Sequence, residues 1–388
     1  MSKNKILIAL FMAFVGLYAC KKEEAVTVTT PVTNPNGRLN PFDNIKTTAD
    51  NPITPAKTNL GKMLFWDPIL SGDKDVACVS CHHPDFGYAE DLDISIGSNG
   101  VGLGSKRHFQ TPNTIGFVKR NAHTVLNTAF NGMDEKGDYD PVNAPMFWDL
   151  RKKTLELQSL EPIKSLEEMR GHHFTDSTAL DSVVTRLKNI EEYRQLFKLA
   201  FGSELSINAE NIGKALATFE RTLTATNSRF DGFDRGDKNI LTDLEKTGMQ
   251  LFQSVGCINC HSGPMFSDYQ LHVLSVPDNP KSPYDKGAND MYAFRTPSLR
   301  NLKFTAPYMH SGQFENLEQV LEFYDVAADG RSANPNVKTS DIDPKVRQLK
   351  VQNVQAITAF LLTLSDDNFD KSIPTKVPSQ LNVGGNIK

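Results

Sequence analysis

Hydrophobic and polar positions divide the chain into stretches of unlike pattern. A basic start at Lys3 and Lys5 precedes an apolar run over 6–15, and Leu17-Tyr18-Ala19-Cys20 closes it. That run is too short for a comfortable membrane-spanning helix and has the form of an export signal. Residues 21–51 are rich in Thr, Pro, Asn and charge, a composition that buries no core and predicts a flexible tether. Helical spacing dominates thereafter. Asn208 can cap a helix whose apolar face is Ile212, Leu216, Phe219 and Leu223. Thr242 with Glu245 forms a capping box that opens a helix running through Leu251. Val354, Ile357, Leu361 and Leu364 make a closing amphipathic helix before a polar tail, 369–388. Strand-like alternation is scarce, so the expected fold class is mainly α, with long loops rich in Gly, Pro and Asn.

Composition narrows the picture. A chain of 388 residues with 39% hydrophobic content can bury one or two cores. The net charge of −4 is spread along the chain, with no basic block to suggest nucleic acid. The five cysteines carry more information: Cys20, Cys78, Cys81, Cys257 and Cys260. Cys20 follows a small residue at the end of the signal, as in a bacterial lipobox, where the cysteine is acylated. Acyl chains there would hold a soluble protein at a membrane surface. Ordinary cleavage beside a free cysteine is the plainer alternative.

The other four cysteines make two copies of one pentapeptide, Cys78-Val79-Ser80-Cys81-His82 and Cys257-Ile258-Asn259-Cys260-His261. C-x-x-C-H attaches c-type haem: two thiols add to the porphyrin vinyl groups and the histidine becomes the proximal iron ligand. A zinc site would leave the paired histidines unexplained. The flanks repeat as well. Gly61-x-x-Leu64-Phe65 precedes the first copy and Gly248-x-x-Leu251-Phe252 the second, followed by Pro84-Asp85-Phe86 and Pro264-Met265-Phe266. A duplicated module is expected, with cytochrome c-like domains over 52–235 and 236–368, each wrapping one haem.

Longer motifs extend the comparison over about 51–367. They are Leu64-Phe65-Trp66-Asp67-Pro68, Arg120-Asn121-Ala122-His123-Thr124-Val125, Phe147-Trp148-Asp149-Leu150-Arg151 and Gln158-x-x-x-Pro162-x-x-x-x-x-Glu168-Met169. Arg295-Thr296-Pro297-Ser298-Leu299-Arg300-Asn301 and Thr305-Ala306-Pro307-Tyr308-Met309-His310 stand in the second half. In this order they resemble the bacterial dihaem cytochrome c peroxidases, and within them the MauG-like members. Two positions depart from the family's pattern: His123 stands where proline is usual, and Leu150 where glycine is usual.

The resemblance implies a peroxide-reacting haem on His82 and an electron-storing haem on His261. Glu168 would carry the proton between the peroxide oxygens, since a carboxyl group in an apolar pocket has a raised pKa. Gln158 would hydrogen-bond the bound oxygen, Pro162 would shape the wall, and Trp148 would relay electrons between the haems. Asn121, Thr305 and Pro307 match ligands of a calcium ion, a hard cation suited to oxygen donors. Other members block the first haem with a histidine in an Ile-Gly-His run; here it reads Ile96-Gly97-Ser98, with His83 and His108 as possible substitutes. At the second haem Tyr324 falls at the distal-ligand position, with Met309 as competitor; both differences favour the MauG-like subtype. The implied partners are hydrogen peroxide and a small cytochrome c or cupredoxin donor. A protein substrate is the alternative, although Val255 occupies the position of the family's surface tryptophan. A plain electron-transfer cytochrome is the non-enzymatic rival. Haem attachment places the protein on the periplasmic side of a bacterial membrane, anchored through Cys20.

Overall fold

The computed structural model describes residues 41–388, so the export signal, Cys20 and most of the tether lie outside the described residues. Two helix pairs organise the described chain. Helix α1 (Pro55–Trp66) starts where Thr54 accepts from the Lys57 amide and Pro55 sets the first turn. Helices α2 (Ala179–Lys188) and α3 (Glu191–Phe201) lead to α4 (Ala209–Thr222), capped by Asn208 as its sequence predicts. Helix α5 (Asp243–Ser254) opens with the Thr242–Glu245 capping box, and α6 (Leu317–Ala328) and α7 (Val354–Leu362) complete the longer helices among the described residues. Strands are confined to two short antiparallel pairs, β1 (Gly100–Val101) with β2 (His108–Phe109) and β3 (Leu271–Val273) with β4 (Ala293–Arg295). The fold is mainly α.

Helix α1 packs on α4, and α5 packs on α7. The same glycine makes both contacts possible. A Cβ at Gly61 would run into the Ala215 carbonyl, and a Cβ at Gly248 into the Ala356 carbonyl. Four residues on, Phe65 meets Phe219 and Phe252 meets Phe360, each pair with ring centroids 5.3 Å apart. The repeated Gly-x-x-Leu-Phe is thus a close-approach helix contact used twice, at the centre of separate apolar clusters.

Three sequence boundaries move. The expected tether is already seated before Asn51: Phe42 packs with Phe130, Met133 and Tyr139, and Asn51 is fully buried and donates to Glu156 and to the Lys214 carbonyl. The helix Arg229–Asp234, assigned to the first domain, lies on the second cluster through Phe230 and the buried Asp231–Arg300 ion pair. The polar tail is also no free tail. Val377, Leu381, Val383 and Ile387 return to the first cluster, Ser379 bonds Asp67, and Gly385 pairs with Val76. Among the described residues no helix is long and apolar enough to cross a membrane.

Candidate active site

Each Cys-x-x-Cys-His segment forms one tight turn whose histidine amide bonds back to the first cysteine's carbonyl, at 3.0 Å for His82 and 2.9 Å for His261. Each ring is then fixed from behind. His82 Nδ1 lies 3.2 Å from the Tyr88 carbonyl and His261 Nδ1 lies 2.9 Å from the Phe266 carbonyl. A carbonyl can only accept, so Nδ1 carries the proton and Nε2 is left as the metal-binding atom. None of the four cysteines is in a disulfide.

Two cavities open beside these turns. The first is lined by Cys78, Cys81 and His82, and also by Gln158, Pro162, Glu168, Glu220 and Trp148. Gln158 ends a short helix (Leu155–Gln158) capped by Thr154, and Glu168 sits on a π-helical turn (Leu166–Arg170). The loop around Gly97 supports that turn: the Ser98 amide donates to the Glu167 carbonyl at 3.1 Å, and a Cβ at Gly97 would strike the backbone of Glu167 and Glu168. Removal from water pushes the Glu168 carboxyl up to about 7. Glu220, 5% exposed, is pushed up to about 8 by burial, and its Oε2 has no hydrogen-bond partner. His83 and His108 do not line this cavity. His83 is buried against Trp66 and Phe86, and His108 is exposed on β2.

The second cavity is lined by Cys257, Cys260, His261, Tyr324 and Met309 within a wall of aliphatic side chains, so both candidate distal ligands face it. No Asp or Glu is among its lining residues. Its β3–β4 wall brings in His272 opposite Phe294. His272 is held between Asp343 at 2.6 Å and Asp268 at 3.0 Å, and its pKa is raised to about 10, first by the Asp268 bond.

Trp148 lines both cavities. Its Nε1 donates to the Asn121 carbonyl at 3.0 Å, and the Asn121 amide donates to the His310 carbonyl at 2.8 Å, so both motif segments meet at the indole. Leu150, in the family's glycine position, takes a left-handed φ of 60°, a conformation that is strained for leucine. Sequence reasoning gave no role to His123, Glu220, His272 or Arg295. Arg295 is 5% exposed and has no carboxylate partner among the described residues; it also lines both cavities. A buried, unbalanced guanidinium beside two thiol-and-imidazole turns fits haem, whose propionates carry the missing negative charge.

Comparison with known proteins agrees with this geometry. Residues 55–239 match the di-haem cytochrome c peroxidase family. The methylamine utilization protein MauG of Methylorubrum extorquens is 33% identical over 334 residues, 84% of this chain and 82% of that protein. The cytochrome c551 peroxidase of Nitrosomonas europaea is 33% identical over 348 residues, 85% of this chain and 89% of that protein. A crystal structure of a MauG-like protein associated with microbial copper homeostasis superposes with a TM-score of 0.65 at 25% identity, covering 83% of this chain and 92% of that one. The chain belongs to the bacterial dihaem cytochrome c peroxidase family. It is an oxidoreductase that acts on peroxide, with c-type haem as its cofactor.

Proposed function

We propose that the chain reduces hydrogen peroxide to water at the haem held by His82. His261 would hold the haem that supplies the electrons, with a small cytochrome c or a cupredoxin as donor. The haems supply the iron position where peroxide is cleaved and the electrons that cleave it. The observation that carries the reading is Glu168, a carboxyl in the first cavity poised at about 7. Ionised, it takes a proton from one peroxide oxygen; protonated, it gives that proton to the other as water leaves. Gln158 orients the oxygen with its amide, and Trp148 carries electrons between the two sites. The test is peroxide consumption by haem-loaded protein with a reduced cytochrome c donor, against Glu168→Gln. Absent consumption would favour a plain electron carrier; unchanged turnover in the variant would remove Glu168 from the step.

Tyr324 in the second cavity and Ser98 in place of a blocking histidine favour a second reading, peroxide-dependent oxidation of a partner protein as in MauG. Val255 weighs against the same protein substrate, since it is small, apolar and only 5% exposed. Each half of the chain is taken to wrap one haem. Calcium at Asn121, Thr305 and Pro307 belongs to the same proposal, and loss of activity on chelation, restored by Ca²⁺, checks it. So does acylation of Cys20 on the periplasmic side, where labelled palmitate incorporated by the unaltered chain and absent from Cys20→Ser is the expected outcome.

A further inference from the structure

Trp148 does not bridge the two cavities alone. The His123 imidazole lies flat against its indole, with ring centroids 3.9 Å apart and planes 25° from parallel. His123 lines the first cavity only, and the His82 ring also faces its backbone. On the other side His310 meets the indole edge-on at 6.2 Å and stacks on Phe294 at 3.4 Å, both lining the second cavity. An aromatic series therefore runs from the His82 side through His123, Trp148 and His310 to the His261 side.

One residue holds the central pair. The Arg295 amide donates to the Trp148 carbonyl at 2.7 Å, its Nε donates to the Phe147 carbonyl at 3.0 Å, and an Nη lies 3.2 Å from His123 Nε2. A guanidinium has no acceptor, so Nε2 must accept and the imidazole is neutral. A neutral ring face tolerates a passing positive charge on the indole, whereas an imidazolium would repel it.

We infer that His123 is a positioning residue of the inter-haem relay, fixing the plane of Trp148 and extending its aromatic contact toward the first haem. The inference rests on the reading of Trp148 as relay. One electron leaves the indole for the first site, where peroxide is the oxidant, and one enters from the second site, which is oxidised. The indole keeps its Nε1 proton throughout, because the Asn121 carbonyl that accepts it is not a base. His123 itself is neither oxidised nor protonated. Proline, usual in the family here, offers the indole no aromatic ring and no acceptor for Arg295, so the imidazole contact follows from the histidine at this position.

The experiment uses haem-loaded protein with the second haem reduced, mixed with peroxide in a stopped-flow spectrometer. Loss of the reduced second-haem band reports internal transfer, and the second-order change at the first haem reports peroxide encounter. Trp148→Phe, His123→Gln and His123→Phe are compared at equal haem content. His123→Gln keeps an acceptor for Arg295 but removes the ring, and is expected to slow internal transfer about tenfold, well beyond any change in the encounter rate. His123→Phe keeps the ring and is expected to restore transfer to within about twofold of the unaltered chain. Slow transfer in Trp148→Phe with normal transfer in His123→Gln overturns the role of His123 alone. Normal transfer in Trp148→Phe overturns the relay reading beneath it. Equal slowing in both His123 variants also overturns the inference, since ring overlap would then not be what counts.

Discussion

Around His82 and around His261 the chain repeats one scaffold, a glycine-mediated helix crossing with a phenylalanine pair above a Cys-x-x-Cys-His turn. The linings of the two cavities differ in one chemical respect. Asp149, Glu168 and Glu220 face the first, together with Gln158 and Asn131, whereas no carboxyl faces the second. In place of carboxyls, the second has aliphatic walls, the phenol of Tyr324, the thioether of Met309 and a histidine locked between two aspartates. Cleaving an O–O bond needs a mobile proton; storing an electron needs a dry site with fixed ligands and charges. On the proposed reading, the shared scaffold would hold both haems and the unlike linings would separate the two tasks.

The largest expected effect falls on the proton carrier. Glu168→Gln should lower peroxide turnover by about 10²–10⁴-fold while leaving haem content unchanged, as measured by steady-state oxidation of reduced cytochrome c. Activity of the unaltered chain should rise with pH through about 7, where Glu168 becomes able to accept a proton. A flat profile would remove Glu168 from the step.

Next comes the shared scaffold. Gly61→Ala and Gly248→Ala should each destabilise the protein by about 1–3 kcal/mol or more, because the added methyl meets a helix carbonyl that cannot retreat. Denaturant melts of both variants check this, and a neutral result at one site would break the equivalence of the two crossings. A ligand exchange sharpens the contrast further. Tyr324→Met should raise the potential of the second haem only, since a thioether favours the reduced iron more than a phenolate does. Met309→Leu should leave that potential in place; a shift there instead would make Met309 the ligand.

The smallest effect concerns stability against pH. Glu168 and Glu220 are raised from 4.5 to about 7 and about 8, so the folded chain binds more protons than the unfolded chain between those limits. Their contribution is complete below pH 4.5 and is lost as pH rises through 7 to 8. Glu220→Gln should flatten that decline, read as a smaller drop in Tm between pH 5 and pH 8.5.

Local chemistry was legible in the sequence where contiguous residues are enough. The haem-attaching pentapeptides, the Thr242–Glu245 box and the Asn208 cap all act within one turn, and each takes the expected form. The repeated glycines were visible as a pattern, but their purpose needed the opposing helices. The docking of the polar tail was not legible because its anchors are four scattered apolar residues and backbone bonds in a polar composition. His123 and Arg295 stood in quoted motifs, yet the hydrogen bonds of Arg295 to Phe147 and His123 join residues more than a hundred positions apart, and the stack of His123 on Trp148 joins two separate motifs. Glu220 lies one position from the apolar face read for its helix, and nothing in helical spacing marks a buried carboxyl.

The most direct test of the divided labour is a cyanide titration of fully ferric, haem-loaded protein without prior reduction, followed by visible absorbance. One cyanide is expected to bind per chain, at the first haem, and two in Tyr324→Ala, where the second haem would lose its ligand. No binding until the second haem is reduced, or two cyanides on the unaltered chain, would contradict it.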